Sequence, residues 1–162
     1  MRFLLAIMLM LTITACGSNK DASTGAGELS KEEQEYVDLV LADDYESLKS
    51  ATKGKDNDIQ YDYNYLAQAF IKEKDLKDRF GEDLDIKIEF EVLIAYQNLE
   101  SIIKYVDGFD YGNKDVNEKI DNLEKWAKKG QADLKDRYEK VAEKQKAYEE
   151  EMENLKKEAE NK

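Results

Sequence analysis

From Val116 to Ala159 the chain sets an apolar or small residue at every third or fourth position, with Gln145 as the one polar interruption. The series is Val116, Ile120, Leu123, Ala127, Gly130, Leu134, Tyr138, Val141, Gln145, Tyr148, Met152, Leu155 and Ala159. Steps of four and three alternate along it, the pattern of one helix face wound as a heptad seam. No proline occurs anywhere in the 162 residues to interrupt it. The pattern predicts a long charged helix over 113–160, with Asp115 and Glu118 at capping-box spacing, running about 68 Å at 1.5 Å per residue. Two successive steps of four, Gly130-Leu134-Tyr138, form a stutter that locally unwinds a left-handed supercoil. Gly130 itself costs about 1 kcal/mol against Ala in a helix, so the region near 130 is a place to bend or break. Two readings of the seam stay open. Either its first half packs on the rest of the chain and the remainder is a solvated helix held by Glu/Lys pairs, or the tail docks on another helix, in a partner or in a copy of itself. The second reading makes Tyr138, Tyr148 and Met152 interaction residues.

Upstream, Ser30 and Glu33 form a capping-box signature, followed by a stripe of Val37, Leu41, Tyr45 and Leu48 and closed by Gly54. Residues 58–80 line Ile59, Tyr63, Leu66 and Phe70 on one helical face, although Ile59, Tyr61, Tyr63 and Tyr65 also alternate as in a strand. The same competition recurs where Leu84, Ile86, Ile88, Phe90 and Val92 alternate, while Ile88, Val92, Ala95, Leu99, Ile102 and Val106 form a 4-3 helical stripe. The longer stripe and the Glu, Lys, Leu and Gln content favour helix. The expected fold is therefore all-α: a helical domain over 30–112 followed by the long C-terminal helix. The alternative is an α+β chain with short strands at 59–65 and 84–92. The helix pair 58–80 and 84–106 is similar in size to the antiparallel pairs of tetratricopeptide-like repeats, but the Trp, Gly and Pro landmarks of that motif are missing.

Between the helices, residues 107–118 place a glycine and a glutamate at positions six and twelve of a calcium-type loop. Phe109 and Tyr111 occupy positions that need oxygen donors, so the segment is a turn with helix caps. Tyrosine is abundant, at ten residues, and can mark interfaces because the ring buries area while the hydroxyl stays satisfied. On a helix Tyr61 and Tyr65 share a face and Tyr63 points elsewhere, which adds Tyr61 and Tyr65 to the candidate interaction residues.

Composition removes several chemistries. Histidine is absent and Cys16 is the sole cysteine, so there is no disulfide framework, no Cys/His metal site and no histidine-based nucleophile relay. No catalytic residue, metal site or cofactor is expected. The formal net charge of −12 repels phosphate backbones, which argues against nucleic acid as a partner. Paired carboxylates such as Asp43-Asp44, Asp83 with Asp85, and Glu149-Glu150-Glu151 are numerous, but on polar helix faces abundance means solvation.

Residues 1–15 supply Arg2 and then a twelve-residue run, FLLAIMLMLTIT, too short to span a bilayer and right for a signal h-region. It ends Ile13-Thr14-Ala15-Cys16, which resembles the bacterial lipobox. That resemblance covers residues 1–16 and implies that Cys16 receives a diacylglycerol, that the leader is cut before it, and that two or three acyl chains hold the protein stably. Residues 16–29 then read as the lipidated cysteine and a Gly/Ser/Ala tether with a span of about 20 Å. In lipobox and in Lys/Asn/Glu/Tyr content the chain is similar to small helical lipoproteins of low-GC Gram-positive bacteria. The expectation is a surface lipoprotein on the extracytoplasmic face of the cell membrane, acting as a non-enzymatic module for a protein or envelope component. A carboxylate-dependent cell-wall hydrolase and a phage-exclusion or immunity-type surface lipoprotein remain as alternatives. The full chain should incorporate labelled palmitate and Cys16→Ala should not; equal labelling of the two contradicts the lipid assignment.

Overall fold

The computed structural model describes residues 29–54 and 57–160. The leader, Cys16 and the tether up to residue 28 lie outside the described residues. The fold is all-α, with five helices and no strand among the described residues: α1 (Lys31–Leu41), α2 (Tyr45–Ala51), α3 (Asp58–Phe80), α4 (Glu89–Val106) and α5 (Lys114–Glu160).

Helix α1 starts where expected. Ser30 Oγ accepts from the Glu33 N–H, and the Glu33 carboxylate accepts from the Ser30 N–H, which satisfies two orphan donors of the first turn. The single helix expected up to Gly54 is instead two. Asp43 sits at φ 57° and Asp44 caps α2 by accepting from the Ser47 N–H. Aspartate tolerates the left-handed region and its short carboxylate competes for backbone N–H groups, so the Asp-Asp pair breaks the helix between two stretches of one stripe. Asn57 caps α3 through the Gln60 N–H.

Both candidate strands are overturned. Residues 59–65 are the first turns of α3, with Tyr63 buried and Tyr61 and Tyr65 exposed. The alternation at 84–92 has a split origin. Residues 81–84 form a turn that closes on Ile86, whose N–H donates to the Leu84 carbonyl; Leu84 and Ile86 insert into the core while Asp85 and Lys87 stay exposed, and α4 begins at Glu89. Period two is thus real over a few residues, but it belongs to a connection that alternates buried and exposed side chains without pairing as a strand. Ile88, expected in the helical stripe, stands at the start of α4 and is 59% exposed, while Val92, Ala95, Leu99, Ile102 and Val106 are all buried.

Helices α2, α3, α4 and α5 pack as successive antiparallel neighbours. Their registers are marked by Asn64 on Thr52, Lys72 on Asn98, and Tyr96 stacked on Tyr138. Helix α4 lies between α3 and α5, which touch each other little, and α1 leans across α2, α3 and α5. At the end where α3 and α5 begin, Tyr36, Tyr63, Tyr111 and Phe109 form a chain of tilted and edge-on rings. Glu32 fastens α1 there, accepting from the Tyr36 hydroxyl and the Gln60 amide. Helix α5 opens on Asn113, whose side chain accepts from the Asp115 and Val116 N–H groups, so the cap is Asn113 rather than Asp115.

Residues 30–112 do not close a core without α5. Val116, Ile120, Leu123, Ala127 and Leu134 belong to the same buried cluster as the other four helices. Helix α5 continues through Gly130 without a break, and the reason for glycine there is contact. A Cβ on Gly130 would lie 2.7 Å from Leu84 Cδ1 and 3.3 Å from Leu99 Cδ1. Leu84 itself is held at φ 52°, a conformation non-glycine residues adopt only when packing over-determines it.

Two outcomes follow from this core. Gly130→Ala gains about 1 kcal/mol of helix propensity, but two packed leucines must move, and overpacking costs about 1–3 kcal/mol. Denaturant unfolding should show a net loss near 1 kcal/mol; a gain of that size contradicts the contact. Burial, aided by Glu33, pushes the Tyr63 phenol from 10.0 up to about 12. Burial also raises Tyr45 and Tyr111, with Asp43 adding to the first and Asp62 to the second. The folded chain holds these protons more tightly than the unfolded one, so their stabilisation is full below the ordinary phenol range and fades as pH climbs through the raised values. An alkaline titration should lose helix together with a late, cooperative step in tyrosinate absorbance. Simple independent titration of every tyrosine with helix intact would contradict it.

Candidate functional site

The heptad seam of α5 is covered for part of its length only. Leu134 is buried, and Tyr138 is half-buried under Tyr96, whose ring lies 4.0 Å away at an interplanar angle of 13°. Val141 is half-buried. Arg137 Nη2 donates to the Ile86 carbonyl at 2.8 Å, and Lys144 Nζ reaches Glu89 Oε2 at 3.1 Å. Glu89 is the first residue of α4, so cover ends there. Beyond it Gln145 is exposed and Tyr148, Met152 and Leu155 are 62%, 37% and 52% exposed, still at heptad spacing. The uncovered stretch is supported from within α5: Lys146 pairs with Glu150, Lys157 with Glu153, and Gln145 donates to Glu149. Such i,i+4 pairs are worth about 0.2–0.5 kcal/mol each, enough to favour a helix and too little to fix one firmly.

Where the cover stops, a groove of about 410 Å³ opens between the start of α4 and α5. Four cations line it, Lys87, Arg137, Lys140 and Lys144, with Glu89, Glu143 and Val141. The adjacent N-terminus of α4 has no side-chain cap, so its orphan N–H groups add partial positive charge. Lys87 pairs with Asp85 and Lys144 with Glu89, so much of this positive charge is matched within the chain. Ile88 and Phe90 beside it are 59% and 61% exposed.

The sequence-derived candidates therefore separate. Tyr148 and Met152 lie together on the open face. Tyr138 lies on the same seam, but its ring is occupied by Tyr96 and serves the packing of α4 on α5. Tyr61 and Tyr65 are on α3, near the opposite end of the bundle, where Tyr65 stacks on Tyr105 at 5.0 Å. They form a second, smaller aromatic surface with no connection to the α5 face. Sequence reasoning missed the groove, because its cations come from a loop and two turns of α5 that only the fold brings together. It also missed Leu155 as a site residue, although the heptad spacing that selected Met152 selects Leu155 equally.

Asp62 is pushed above the usual carboxylate range, by burial first and by Asp58 second. Asp58 and Asp62, however, are one turn apart on the same helix, whereas glycoside hydrolysis needs two carboxyls facing across a cleft. Asp43, held below its ordinary range by hydrogen bonds from Lys119 and Tyr45, ties the α1–α2 turn to α5 and is structural. Among the described residues no group of His, Cys, Asp and Glu could hold a metal ion, and no helix is long and apolar enough to cross a membrane. No family model, curated protein or solved structure matches the chain.

Proposed function

We propose that this chain is a lipid-anchored surface module, non-enzymatic, that holds an apolar helix face away from the membrane for a partner to bind. The observation that carries the reading is the seam that outruns its cover: Tyr148, Met152 and Leu155 continue the stripe buried under α4 and are exposed among the described residues. An exposed apolar stripe rimmed by charge is the usual form of a docking face.

The placement of Leu29 supports the same reading. Leu29 packs against the core beside Gly112, at the end of the bundle where α5 starts. With Cys16 lipidated and a tether spanning about 20 Å, that end is held near the bilayer. The 47 residues of α5 then carry its far turns about 70 Å along the helix axis, away from the anchored end. The protein so arranged is a short base with a mast, placed on the extracytoplasmic face of a bacterial membrane. Its acidic surface resists adhesion to anionic lipid and favours a partner with basic patches.

The test uses the full chain in its membrane. Tyr148→Ser, Met152→Ser and Leu155→Ser together touch only exposed side chains, so helicity and thermal stability should stay within about 0.5 kcal/mol of wild type. A photo-crosslinker placed at Glu151, beside the stripe, should trap an envelope component in wild type and lose it in the triple variant. Release of wall fragments by the purified protein, or trapping that the triple variant leaves unchanged, would overturn the reading.

A further inference from the structure

We draw no further inference here: the strongest candidate, the aromatic surface patch that Tyr61 and Tyr65 form with Tyr105 where α3 begins, stands exposed beside Asp58 and Asp62, and nothing in the structure shows what covers it.

Discussion

Helix α4 is apolar on two sides and must be covered on both. Val92, Ala95, Leu99, Ile102 and Val106 are buried where α4 packs on both α3 and α5. Each fully buried aliphatic side chain is worth about 1.5–3 kcal/mol, so this one helix fixes where its two neighbours lie. The close approach at Gly130 belongs to the same constraint. Leu84 and Leu99 press onto α5 where a side chain would stand, and Leu84 accepts a left-handed backbone to get there. The remaining elements fill in around that triple layer, with α2 against α3 and α1 across the end.

The consequence is an asymmetric molecule. Helix α4 has 18 residues and α5 has 47, so α5 cannot be covered by α4 along its length. The excess lies entirely at one end, because the 107–113 connection is short and fixes where the hairpin of α4 and α5 turns. Leu29 enters the fold at that turn. The end where Leu29 enters and the free end of α5 are thereby separated by the hairpin geometry itself.

Much of this was legible in the residues, and the failures have physical causes. The capping box at Ser30 and Glu33 and the stripe from Val92 to Val106 were readable because they rest on local bonds and on one long period. The break at Asp43 was not, since its stripe continues across two helices and only a left-handed residue divides them. The strand-like run at 84–88 arises because Leu84 and Ile86 enter the core from a turn while Asp85 and Lys87 stay in solvent, which gives the period of a strand without one. Gly130 looked like a weak point in a helix, while its role is to admit Leu84, which no spacing rule can reveal. For the site, heptad spacing identified Tyr148 and Met152 but could not say where the cover ends. Tyr138, on the same seam, is therefore a packing residue, and the groove of Lys87, Arg137, Lys140 and Lys144 has no signature along the chain.

The division of α5 into a packed half and an open half is the claim on which the rest depends, and amide hydrogen exchange along that helix tests it most directly. Residues 116–138 should exchange only through global unfolding, and residues 145–157 should exchange orders of magnitude faster, at the rate of a marginally stable helix. Uniform, strong protection from 116 to 157 in the isolated chain would contradict the account, because it would mean that the seam is already covered.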